Sequence, residues 1–141
     1  MKTKFDSIVK IKKNEVEKIE RNIQKINSSI AMLNEKIKEL QNKLSSFSCP
    51  DSGSFIEFNQ YKLMQNALMD EINSFKNQIN ILENRKKELF KEYKKANIEY
   101  EKMKYLQAKE FKKLIKKQKQ KENIEMNEIA IILNKKRFES E

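Results

Sequence analysis

SSFSCPDSGS, Ser45–Ser54, holds both the only proline and the only glycine of a 141-residue chain, and its reading decides the fold. Two backbone breakers within four positions, amid serines and an aspartate, mark a turn. Nothing else in the chain interrupts a helix so strongly. Ser54 followed three positions later by Glu57 has the spacing of a capping box, in which hydroxyl and carboxylate satisfy the first free N–H groups of a new helix.

Before the turn, apolar residues recur at alternating steps of four and three: Phe5, Val9, Val16, Ile19, Ile23, Ile26, Ile30, Leu33, Ile37, Leu40, Leu44 and Phe47, with Lys12 the one interruption. A 3.5-residue repeat sustained this long keeps one seam facing a neighbouring helix, as in a coiled coil. An isolated amphipathic helix would leave the whole stripe wet. After the turn the rhythm resumes through Phe58, Tyr61, Gln65, Leu68, Ile72, Phe75, Ile79, Leu82, Lys86, Leu89, Tyr93, Ala96, Tyr100 and Met103.

Folding the chain so that facing positions sum to 101 or 102 matches the stripes, with Leu44 on Phe58, Leu33 on Leu68, Ile23 on Ile79 and Val9 on Tyr93. In that register Lys12 faces Leu89, Lys86 faces Val16 and Gln65 faces Ile37. These three either lay their stems along the seam with the polar head in water or fix the register.

The expected fold is all-α: a two-helix antiparallel coiled-coil hairpin forming a single domain, 1–141. Helix 1 covers about 3–47, the turn 48–54, and a longer helix 2 about 55–138, overhanging at the C-terminus. At 1.5 Å per residue the arms measure about 65 Å and about 125 Å. On the register above, the first arm starts opposite Ala96.

Composition narrows function. Of the chain 37% is charged and 38% hydrophobic, and the formal net charge is +10, which favours an acidic partner. Arg21, Arg85 and Arg137 are the only arginines. Without arginine forks to read base edges, sequence-specific nucleic-acid recognition is disfavoured. Histidine is absent and Cys49 is the sole cysteine. That excludes an intrachain disulfide, a Cys/His zinc site and a histidine-based triad. No metal, cofactor or small-molecule substrate is expected.

Carboxylates such as Glu35, Glu39, Glu57 and Glu71 fall on exposed helix positions without a nucleophile or a concave site, so no catalytic residue is assigned and no enzyme is expected. The N-terminus lacks the apolar run of a signal peptide, and the longest apolar run, Ile129–Leu133, is too short to span a bilayer. A cytoplasmic protein without membrane insertion is the expectation.

Beyond Met103 the chain stays helix-favouring and carries two apolar patches: Phe111, Leu114 and Ile115, then Met126, Ile129, Ile132 and Leu133. A lysine-rich band lies over Lys112–Lys121. With no internal partner left, such patches call for an external one. A groove or pore lined with acidic residues that takes up an amphipathic helix suits the pattern better than nucleic acid or a membrane surface.

The start KFDSIVKIKKNEVEKIERNI, the resumption FIEFNQYKLMQNALMDEI and the ending KENIEMNEIAIILNKKR together resemble the FliJ family of flagellar export proteins and its type III secretion relatives. The resemblance is carried by Phe5, Ile8 and Val9 with their lysine cluster, by Phe58 and Tyr61 followed by Leu68 and Ile72, and by Glu122–Ala130. Within the last segment Asn127-Glu128-x-Ala130 is similar to the family's Asp-Glu-x-Ala, with Asn127 in place of the acid.

The resemblance implies a non-enzymatic, cytoplasmic stalk of the export apparatus, peripheral to the inner membrane and serving flagellum biogenesis, motility and chemotaxis. Its implied partners are the export ATPase hexamer, entered by the end that carries both termini, the cytoplasmic domain of the export gate, and export chaperones. Transposed here, Phe111, Lys112, Lys113, Leu114, Lys116 and Lys117 would face the ATPase, and Phe58, Tyr61 and Leu68 the gate. The alternatives are a basic coiled coil that binds nucleic acid or assembles generically, and a chaperone-like hairpin similar to prefoldin.

Overall fold

The computed structural model describes residues 2–47 and 53–139. It contains two helices, α1 (Asp6–Ser46) and α2 (Phe55–Glu139), which pack antiparallel, and no strand among the described residues. The second helix is the longer, as the sequence leads one to expect. Most of the expected turn, with Cys49 and Pro50, lies outside the described residues.

Local chemistry sets the helix ends. Thr3 and Asp6 cap the start of α1: the Thr3 backbone N–H donates to Asp6 Oδ2 (3.1 Å), the Thr3 hydroxyl donates to Oδ1 (2.6 Å) and accepts from the Phe5 N–H (3.3 Å). At its far end the hydroxyls of Ser45 and Ser46 donate back to the carbonyls of Asn42 and Lys43, acceptors a helix terminus otherwise leaves open. The hydroxyl half of the expected box is present at the start of α2, with the Glu57 N–H donating to Ser54 Oγ at 3.3 Å. Gly53 does not have a positive φ. What it provides is room, because a Cβ there would collide with the Glu57 carboxylate curled back over it.

The chain divides into two compact units. One comprises Val16–Lys95, the other Met1–Glu15 with Ala96–Glu141. In the first, the buried residues of α1 include Val16, Ile23, Ile30 and Ile37, spaced every seven, and those of α2 are Ile72 and Leu89. Ile37, Leu40 and Ile72 form a cluster against which Leu44, Leu68, Phe75 and Ile79 pack. Two helices can cover one stripe each and no more, so this core is thin.

The register differs from the expected one. The cluster gathers Ile37, Leu40 and Leu44 with Leu68, Ile72 and Phe75, a grouping that fits facing numbers summing to about 112. The Lys36 ammonium lies 5.7 Å from the centre of the Phe75 ring, and Ile23 shares a groove with Phe90 and Tyr93. The displacement from 101 or 102 is about three steps of the 3.5-residue seam. Each step sets apolar seam positions on apolar seam positions, so the pattern of hydrophobics alone cannot tell the registers apart. One consequence is that Phe55–Met64, at the start of α2, has no α1 residue opposite.

Candidate functional site

In the second unit, α1 begins against the middle of α2's C-terminal portion. The Gln107 side-chain amide donates to Asp6 Oδ1 at 2.9 Å, and the Lys12 ammonium donates to Glu99 Oε2, also at 2.9 Å. Facing numbers sum to 113 and 111. The first arm therefore starts opposite Gln107 and not opposite Ala96.

Both contacts shift ionisation. The Gln107 amide, then the Thr3 hydroxyl and N–H, hold the Asp6 carboxyl below the usual carboxylate range. Glu99, hydrogen-bonded to Lys12, keeps that ammonium charged above the usual lysine value, and Lys12 lowers Glu99 in turn. Lys12 does not face Leu89: with its side chain 23% exposed, it spans to an acid on the opposing helix.

The later start of the first arm delays the overhang. Phe111 borders an open groove with Thr3, Asp6, Gln107 and Ala108 and is 40% exposed, while Leu114 and Ile115 are half-buried. The first apolar patch is thus partly covered, contrary to the expectation that nothing remains to shield it. From Lys116 onward every described residue is exposed, yet the chain is helical to Glu139.

The residues singled out from the sequence are placed as follows. Lys112, Lys113, Lys116 and Lys117 are exposed, Phe111 lines the groove, and Leu114 is half-buried. At the opposite end of α2, Phe58 is exposed and Tyr61 half-buried, among the exposed Phe55, Ile56, Leu63 and Met64. Leu68 packs against the Ile37–Leu40–Ile72 cluster, so less of it is free for a partner. Thr3, Asp6, Glu99 and Gln107 were not singled out, although Thr3-x-x-Asp6 is a capping signature.

Two apolar stripes run along the exposed tail. Met126, Ile129 and Leu133, with Ile132 at their side, follow the four-three spacing of one face. Ile124, Ile131 and Phe138 recur every seven residues on the opposite face. Six lysines between Lys112 and Lys121 precede the stripes. This arrangement suits gripping, with apolar ridges on two sides and positive charge at the root. Among the described residues no group of acids could hold a metal ion, and no helix is long and apolar enough to cross a membrane.

No curated protein and no solved structure matches the chain. The family model for the flagellar FliJ protein does, over residues 1–137. A match that runs from the lysine-rich start, through both helices, to the exposed tail of α2 makes this chain a member of the FliJ family.

Proposed function

We propose that the chain is the non-enzymatic stalk that couples the export ATPase to the protein-export gate. Family membership gives it a role in flagellar export; the partners and the surfaces are our reading. The observation that carries it is the stretch from Lys116 to Glu139, helical and exposed at every described residue.

A helix with apolar ridges on two sides fits a collar of subunits, and the lysines at its root fit acidic loops at the mouth of such a ring. We assign Phe111, Lys112, Lys113, Leu114, Lys116 and Lys117 to the ATPase hexamer. Phe58, Tyr61 and Leu68, at the other end of α2, are assigned to the cytoplasmic domain of the gate. Export chaperones are further partners in this reading, and the site of action is the cytoplasmic face of the inner membrane. Coupling follows if a single asymmetric helix touches six subunits unequally, because only differential contact shifts a conformational equilibrium.

The test is to add the chain to its cognate export ATPase hexamer and measure co-sedimentation and ATP hydrolysis. The full chain should bind and change the rate. A chain ending at Ile115, or one with Lys112, Lys113, Lys116 and Lys117 all changed to Glu, should do neither. Equal effects from full and truncated chains would remove the tail from the function.

The net charge of +10 favours nucleic acid as a second reading. In that case the chain would retain generic DNA with an affinity that falls steeply with salt, and would leave the ATPase rate unchanged.

A further inference from the structure

The exposed tail of α2 has a seam of its own. Glu122, Met126, Ile129, Leu133 and Lys136 succeed one another at steps of four, three, four and three, so they share one face. Met126, Ile129 and Leu133 are more than half exposed. The face is apolar in the middle, acidic at its first end and basic at its last. Glu122 already accepts a 3.4 Å hydrogen bond from the Gln118 side chain on its own helix, through one carboxylate oxygen only.

We propose that this face pairs with the same face of a second copy of the chain, antiparallel, about a twofold axis through Ile129. In that arrangement Ile129 meets Ile129, Met126 meets Leu133, and Glu122 meets Lys136 at both ends. Three apolar layers are closed by two ion pairs. A parallel pairing would put Glu122 on Glu122 and Lys136 on Lys136, like charges opposite at both ends, so the charge pattern selects the antiparallel sense.

The geometry leaves room for it. With facing numbers summing to 258 or 259, Glu139 of one copy reaches position 119 or 120 of the other. That falls short of Leu114 and Ile115, where the tail first gains cover. Neither tail runs into the partner's helix pair. The contact spans about 15 residues, or about 22 Å of helix, and buries roughly 1,000 Å² or less, the range of weak and transient interfaces. The dimer therefore forms and dissociates with concentration, and because it covers the Met126–Ile129–Leu133 ridge that the collar would grip, it is a state of the free chain that ring binding would displace.

Sedimentation velocity on the full chain, from about 10 to about 500 μM, tests this, a range that brackets dissociation constants of tens to hundreds of micromolar, as a weak interface gives. The chain should move from monomer to dimer with rising concentration. Glu122→Lys and Lys136→Glu, each alone, should weaken the dimer at least tenfold, and the two together should restore it. Because the single changes move net charge in opposite directions, general repulsion cannot produce that pattern. In a Cys49→Ser background, Ile129→Cys should form an interchain disulfide readily, whereas Ile131→Cys, on the opposite face, should not.

A monomer at every concentration would overturn the proposal. So would a dimer indifferent to either charge change, or Ile131→Cys cross-linking as readily as Ile129→Cys.

Discussion

Leu89 and Ile129 lie on the same helix and on the same kind of periodic stripe, yet Leu89 is 2% exposed and Ile129 57%. The difference is the presence of a second helix. Where α1 lies alongside, the stripe of α2 becomes a core; from Lys116 on, the same chemistry stays open to water. An apolar stripe states what a helix must pack against something, and the rest of the fold decides whether that something is inside the chain. One stretch of α2 is thus spent on stability, and the other is left for recognition.

Truncation should break this symmetry of chemistry most sharply. Leu89→Ala removes a side chain with almost no exposure and should cost about 3 kcal/mol, seen as a lower urea midpoint. Ile129→Ala should leave the midpoint within about 0.5 kcal/mol. Equal losses would mean that the tail is folded onto the rest of the chain.

The register offers a second way to sharpen the contrast. In a Cys49→Ser background, Leu40→Cys with Ile72→Cys should oxidise within one chain at high dilution, while Ile23→Cys with Ile79→Cys should not. The reverse outcome would restore the register in which facing numbers sum to 101 or 102.

Acidification should separate the regions next. Asp6 and Glu99 have lowered folded pKa values, so their stabilising contributions are complete above the ordinary carboxylate range and are lost as pH falls through the folded values. Lys12 is raised, so its contribution is complete below the ordinary lysine value, 10.5, and is lost as pH rises through the folded one. Amide protection at the start of α1, corrected for the intrinsic pH dependence of exchange, should therefore fall below about pH 4 before the Ile37–Leu40–Ile72 cluster opens. The same protection should be steady across neutral pH.

The smallest effect is expected at Gly53→Ala. The added methyl displaces only the mobile end of the Glu57 side chain, so thermal stability should change by less than about 0.5 kcal/mol.

Two helices, their antiparallel sense and the longer second arm were legible from the period of the apolar residues and from the placement of Pro50 and Gly53. The register was not, because a slip by whole seam steps preserves every apolar match. What separates one register from another is polar and particular: Lys12 reaching Glu99, and Gln107 reaching Asp6. Neither pair stands out in a sequence where acids, amides and lysines are everywhere. The tail was legible as a helix left over, but its root was expected too early, and Leu114 and Ile115 prove half-covered. That error follows directly from the register.

The even rungs of the seam carry a last consequence for how such a chain tolerates change. Gain or loss of three or four residues near the bend would slide one arm along the other by a single rung, and every greasy contact would be remade with a new neighbour. Arm length can drift in this way without unfolding, and the fastening that resists the drift lies beside the N-terminus, where Asp6 and Lys12 clasp the longer helix.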